Sequence, residues 1–384
     1  MLRLRQIENV LARKDKHMRR IATYVMGIVA VAGLWSCGRF DGGGSGGDGT
    51  AVPAEGERVA PLAKLPLGLD EFEFKIPADN PLTGAKGAAK VELGRHLYFD
   101  KRLSRDNTVS CASCHDPSKG WSNAAAVATG VDGQQGGRSS PTIINRVFSE
   151  AQFWDGRAAS LEAQALGPIA NPIEMDLKIE DAVERLTAIA GYKPLFTSAY
   201  GDDAVTPDRM AKAIASFERT VVSGNSPYDK FQAGDKSAMS ASAQRGMAIF
   251  LDNNKGRCSI CHAGSNFTDE KYHNIGVGGD NLATFATGHA GRGAVTKNPA
   301  EIGAYKTPTL RNIADTAPYM HDGSEATLQA TVEFYAKGGH PNTPNLDKEM
   351  RKLDLTDQDK KDLVEFMKAL SGDVTQVVAP TPVQ

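Results

Sequence analysis

Cysteine is scarce in this chain. Only five of 384 residues are Cys, which excludes a small scaffold stapled by disulfides. Charge of one sign is lacking as well: 44 Lys and Arg against 46 Asp and Glu leave a formal net charge of −2. No basic stripe interleaves with aromatics, so nucleic acid is not an expected partner, and there is no acidic tail. Strict period-two alternation is rare, which argues against a sheet protein. No apolar run reaches the roughly 20 residues of a membrane span. At 41% hydrophobic and 23% charged residues, the length suffices for two ordinary domains, each with its own core.

The scarce cysteines are placed with purpose. Four of the five form "CASCH" at 111–115 and "CSICH" at 258–262, and the fifth, Cys37, ends a targeting segment. Arg19 and Arg20 precede "IATYVMGIVAVAGLWS", a 16-residue apolar run that suits a signal-peptide h-region, with Met18 as a plausible start. "LWSC" has the form of a lipoprotein cleavage site, with Leu34 at minus three and Ser36 at minus one, so residues 1–36 read as a signal peptide and Cys37 as a lipidation site. Trp35 is atypical there, and simple cleavage nearby or an uncleaved anchor stay open. Export to the periplasm is expected in each case, with the body held at a membrane where Cys37 is lipidated. The Gly-rich stretch 37–61 reads as a flexible tether.

From residue 62 onward the pattern predicts an all-α fold. "TPDRMAKAIASFERTVVSG" opens with Thr206 as cap and Pro207 at the first helical position, then repeats apolar residues at Met210, Ile214, Phe217 and Val221. "LTDQDKKDLVEFMKALSG" offers Thr356 and Asp359 as a capping-box variant, aligns Leu363, Phe366 and Leu370, and is expected to stop at Gly372. The Gly-rich stretches "ATGVDGQQGGRSSP" and "VGGDNLATFATGHAGRG" are too long for ordinary connections and are expected to wrap something. A weak repeat pairs "VELGRHLYFDKRLSRDNTVSCASCH" with "AQRGMAIFLDNNKGRCSICH": a glycine, an aromatic at Phe99 or Phe250, then the cysteine motif. Two cytochrome c-like domains are therefore expected, 62–237 and 238–374, with a flexible tail at 375–384.

Cys-x-x-Cys-His is the attachment pattern of haem c. Two cysteines three positions apart can form thioethers to both vinyl groups of one haem, and the adjacent His lies under the iron. Cys111, Cys114 and His115 would hold one haem, and Cys258, Cys261 and His262 a second. The rival reading is one zinc bound by four thiolates; the His after each pair and the exported context stand against it.

Several longer strings, in order, resemble the bacterial di-haem cytochrome c peroxidases and their relative MauG: "RSSPTIINRVFSEAQFWDGRAASLEAQALGPIANPIEM", "ASFERTVVSGNSPYDKFQAGD", "TPTLRNIADTAPYMHDGS" and "TLQATVEFYAKGG". The resemblance implies roles. The family's peroxidases place a second His above the resting N-terminal iron, from a Gly-rich loop; here that place counts to Val131, so the iron is expected to be five-coordinate or water-bound. Above it the family has a glutamate, matching Glu174 in "NPIEM", with Gln164 as a polar neighbour. Trp154 in "FWDGR" matches the tryptophan between the haems. The second haem's sixth ligand, methionine in the peroxidases and tyrosine in MauG, falls on Tyr335, which shares a helical face with Leu328 and Val332; Met320 is the alternative. A family calcium would be bound by the carbonyls of Thr316 and Pro318, with Ser139 standing where an asparagine is usual.

Three functions follow from the resemblance. The first is a periplasmic peroxidase reducing hydrogen peroxide with electrons from a small cytochrome c or cupredoxin. The second is a MauG-like oxidase that modifies a protein side chain through a high-valent iron state, which Tyr335 and the missing loop His favour. The third is a di-haem electron carrier without catalysis. A homodimer is compatible with each.

Overall fold

The computed structural model describes residues 62–279, 288–340 and 343–384. The targeting segment, Cys37 and the tether lie outside them, as does much of the second Gly-rich stretch. The fold is all-α: strands are two-residue antiparallel pairs, Ser223–Gly224 with Asp373–Val374 and Tyr272–His273 with Tyr305–Lys306. No helix among the described residues is long and apolar enough to cross a membrane.

Local signals set the helices. Thr206 caps Pro207–Arg219 by accepting from the Arg209 N–H, with proline in the first turn. Thr356 and Asp359 satisfy one another's backbone N–H groups at the start of Asp357–Lys368. That helix ends at Lys368, before Gly372. Gly372 answers to a different demand: a Cβ there would stand 2.0 Å from the Gly224 carbonyl oxygen, so the two segments pass only because it is glycine.

The internal repeat marks two helix crossings. Gly84–Phe99 crosses Pro207–Arg219, and Ala241–Leu251 crosses Asp357–Lys368. At the first crossing a Cβ on Gly94 would lie 1.9 Å from the Ala213 oxygen; at the second a Cβ on Gly246 would lie 1.9 Å from the Asp362 oxygen. The aromatic four residues after each glycine falls on the same helical face. Hence Tyr98 packs on Phe217 at 5.0 Å and Phe250 on Phe366 at 5.1 Å between ring centroids. The counterpart of Phe250 is thus Tyr98, and the expected pairing with Phe99 is off by one residue.

Each crossing anchors an apolar cluster. One draws on Leu93, Leu97, Ile214 and Phe217, the other on Phe250, Leu328, Leu363 and Phe366, and a smaller third joins Leu62, Leu82, Val147, Phe148 and Val222. A buried polar hub links segments of both halves. The Ser223 N–H donates to Asn145 Oδ1 at 2.8 Å, Asn145 Nδ2 donates to Asn266 Oδ1 at 3.2 Å, and the Ser223 hydroxyl donates to Asn312 Oδ1. Asn145 and Asn312 both take left-handed backbone, at φ 61° and 56°, each before a short 3₁₀ turn.

The last ten residues correct the expectation of a flexible tail. They run back over the N-terminal helices: Arg95 donates to the Val378 carbonyl at 2.6 Å, Arg102 to that of Val383 at 2.9 Å, and the Gly191 N–H to that of Gln384 at 2.6 Å. Val377 and Val383 pack against the N-terminal core. The segment has no periodic apolar pattern, and its partners lie far away in sequence, so no local signal marks these contacts.

Candidate functional site

A single cavity of about 710 Å³ is lined by both Cys-x-x-Cys-His motifs. Cys111–Cys114 forms one helical turn, closed by reciprocal bonds between Ser110 and Ser113, and the His115 N–H returns to the Cys111 carbonyl at 2.9 Å. In the second motif the His262 N–H reaches the Cys258 carbonyl, also at 2.9 Å. Each short turn thus presents two thiols and an imidazole to the cavity wall.

The imidazoles are oriented alike. His115 Nδ1 donates to the Pro141 carbonyl at 2.9 Å and His262 Nδ1 to that of Phe267 at 3.0 Å. A carbonyl can only accept, so Nδ1 carries the proton and Nε2 keeps its lone pair for a metal. Burial pushes both rings below the usual imidazole value, which keeps them neutral. All four thiols are free. Burial raises Cys111, Cys114 and Cys258, the last to about 12, and among the described residues the four do not gather in one metal-binding cluster. The donors therefore fit two separate haems and not one four-thiolate zinc.

Glu174 and Gln164 line the same cavity, with Asn171, Arg157 and Pro168. Burial raises the Glu174 carboxyl; Asn171 Nδ2, donating to its Oε1 at 2.9 Å, and the Arg157 charge oppose that shift. The Glu174 charge bears on Cys111 and Cys114, which sets it within electrostatic reach of the first motif. The Gly-rich loop 128–141 forms the wall beside it through Ala128, Gly136, Gly137 and Arg138. Val131 sits in the apolar core, its N–H bonded to the Glu174 carbonyl at 2.8 Å, and no His occurs between His115 and His262.

Trp154 lies on the cavity wall and ties segments of both halves: its indole N–H donates to the Ser139 carbonyl at 2.8 Å, and its own carbonyl accepts from the Lys306 N–H at 2.8 Å. Ser139, Thr316 and Pro318 share that wall. Tyr335 lines the cavity from the helix Leu328–Lys337; burial raises its phenol well above the ordinary value, and the next causes are Cys261 and Cys258. Met320 is also a wall residue.

A second repeat surrounds these groups. A Gln152–Ala158 bridge precedes a helix capped by Ser160, Leu161–Ala165, and a Tyr319–Glu325 bridge precedes one capped by Thr327, Leu328–Lys337. Seven residues beyond each leading leucine stand Pro168 and Tyr335. Proline removes a backbone donor, and the N-terminal helix breaks at Leu166, with Gly167 and Pro168 opening a separate turn, Gly167–Ala170. The C-terminal helix continues and brings a phenol to the cavity.

Three wall residues had no sequence signal. Lys306 is buried and pushed down to about 8, with Glu270 Oε2 3.4 Å away. Arg146 is held by Gln152 Oε1 at 2.6 Å, and Glu218 is raised to about 7 by burial. A buried lysine and a part-buried arginine on a haem-sized cavity suit carboxylates such as haem propionates. Each is a lone charge in sequence, and only the fold collects them.

The model of the di-haem cytochrome c peroxidase family matches residues 88–237. The methylamine utilization protein MauG of Methylophilus methylotrophus is 40% identical over 308 residues, 79% of this chain and 88% of that protein. The cytochrome c551 peroxidase of Nitrosomonas europaea is 39% identical over 290 residues, 75% of this chain and 81% of its own. A crystal structure of a MauG-like protein associated with microbial copper homeostasis superposes with a TM-score of 0.71 at 31% identity, covering 80% of this chain and 95% of that one. With its two Cys-x-x-Cys-His turns on one cavity, the chain is an oxidoreductase belonging to the di-haem cytochrome c peroxidase family, which includes MauG.

Proposed function

We propose that this chain is an exported, lipid-tethered oxidase that uses hydrogen peroxide to oxidise a protein side chain, with small redox proteins as poor donors. The observation that carries this reading is Tyr335, a phenol on the cavity wall within the electrostatic reach of Cys258 and Cys261. Cys111, Cys114 and His115 would hold one haem and Cys258, Cys261, His262 and Tyr335 the other, with Ser139, Thr316 and Pro318 available to a calcium ion. The haems would supply the redox chemistry that cleaves the O–O bond.

The side chains supply the rest. Glu174, its carboxylate oriented by Asn171, accepts a proton from the near oxygen of peroxide and returns it to the departing oxygen. Gln164 offers an uncharged amide beside it. Overall, peroxide takes two electrons and two protons to give two waters, and the target side chain gives up both. Trp154 lies on the wall shared by the two motifs and can pass charge between them. A phenol oxygen lowers the potential of the iron it ligates relative to a thioether, which disfavours electron uptake from a high-potential donor.

Similarity to a cytochrome c551 peroxidase at 39% identity supports a second reading, in which a small cytochrome c or cupredoxin is the donor. The deciding measurement uses the di-haem protein with peroxide and reduced cytochrome c, before and after Tyr335→Met. Slow cytochrome c oxidation that rises by an order of magnitude or more in the variant is expected. Fast oxidation by the unaltered enzyme, unchanged by the substitution, would make it a peroxidase.

A further inference from the structure

His289, His321 and Asp322 form another group of metal-ligating side chains; none belongs to a Cys-x-x-Cys-His motif, and His321 lines the cavity that both motifs share. One ligand atom from each lies within 4.8 Å of the others. His289 Nδ1 and His321 Nε2 face one another at 2.8 Å. We infer that these three residues bind one divalent copper ion, using none of the residues that would hold the haems.

The 2.8 Å contact is a hydrogen bond from one imidazole to the other. A cation displaces the proton that joins the two rings and takes both nitrogens. Imidazole suits copper(II), which binds a given set of nitrogen and oxygen donors more tightly than zinc does.

The surroundings hold the donors in that position. Tyr305 stacks on His321 with centroids 3.7 Å apart and planes 16° off parallel. The Ser139 N–H donates to the His321 carbonyl at 2.8 Å, fixing the backbone. On the other side His289 fills a space that exists because residue 278 is glycine: a Cβ there would stand 2.7 Å from the imidazole Cγ. Asp322 supplies the anionic oxygen that offsets the ion's charge. The Ser139 carbonyl also accepts from the Trp154 indole, so an ion here would be linked to the tryptophan through one residue.

The test uses the untagged di-haem protein, stripped with chelator and titrated with Cu²⁺ and, separately, Zn²⁺. One equivalent of Cu²⁺ should bind more tightly than Zn²⁺ and show a paramagnetic resonance spectrum with hyperfine structure from two imidazole nitrogens. His289→Ala should weaken binding by at least a hundredfold and Asp322→Asn by about tenfold, with haem absorption unchanged in both. Absence of binding, an unaltered copper spectrum in His289→Ala, or tighter binding of Zn²⁺ than of Cu²⁺ would overturn the assignment.

Discussion

Glu174 has an environment that changes what its carboxyl can do. Burial raises its pKa, while Asn171 and Arg157 pull it down. In its proposed role as base it must be ionised, so peroxide cleavage should fail as pH drops through that raised value. Replacing Asn171 by Ala removes a bond that favours the carboxylate, and the acid limb of the pH–rate profile should move to higher pH. Glu174→Gln should cost about 10²–10⁴-fold in peroxide cleavage, since it removes the proton acceptor; absorption spectra should stay normal, and an unchanged rate would assign the proton step elsewhere. Glu218 concerns stability instead. Its folded carboxyl titrates near about 7 against an ordinary 4.5, so the folded state binds the proton more tightly. That contribution is complete below pH 4.5 and is lost as pH rises through about 7, on the order of 3 kcal/mol in all. Thermal melting between pH 4.5 and 8 should show stability falling as pH rises, and Glu218→Gln should flatten that slope.

Between elements, two glycines decide how closely helices approach. An alanine at Gly246 would drive its Cβ to 1.9 Å from the Asp362 carbonyl oxygen, and one at Gly94 equally close to that of Ala213. Relief requires the helices to move apart, and overpacking of this kind typically costs about 1–3 kcal/mol or more. Denaturant unfolding of Gly94→Ala and Gly246→Ala should show losses of at least that size; stability within 0.5 kcal/mol of the parent, roughly the scatter of neutral surface substitutions, would mean that the crossings are not where the repeat puts them. The caps at Thr206 and at Thr356 with Asp359 were legible because a cap and its partner lie within three residues. The role of Gly372 was not, since the group that it must pass, Gly224, belongs to a distant segment. Phe99 misled for a related reason: adjacent aromatics look alike in sequence, and only the helical phase set by Gly94 selects Tyr98.

At the scale of the whole molecule, the C-terminal segment straps the N-terminal helices. Deleting residues 376–384 removes the carbonyl acceptors for Arg95, Arg102 and the Gly191 N–H. Bonds to charged donors contribute about 1.5–3 kcal/mol each at most, so a loss on the order of 2–4 kcal/mol is expected, seen as a lower melting temperature with haem content intact. An unchanged melting temperature would show that the strap adds nothing. The buried hub of Asn145, Ser223, Asn266 and Asn312 is a second long-range tie, and it too has no local signature.

What the chain determined by itself is what depends on neighbours a few positions away. The two Cys-x-x-Cys-His turns, the helix caps, the shared glycines of the repeat and the helical spacing that sets Tyr335 with Leu328 and Val332 are all written within one or two turns of backbone. Tertiary structure decided the rest: that one cavity is lined by both motifs, that Lys306, Arg146 and Glu218 meet on its wall, that His289 reaches His321, and that Val131 lies in the core. These depend on burial and on contacts between segments far apart in sequence. The protonation of a carboxyl or an amine follows from how much water the folded chain removes around it, and no short stretch of sequence contains that quantity.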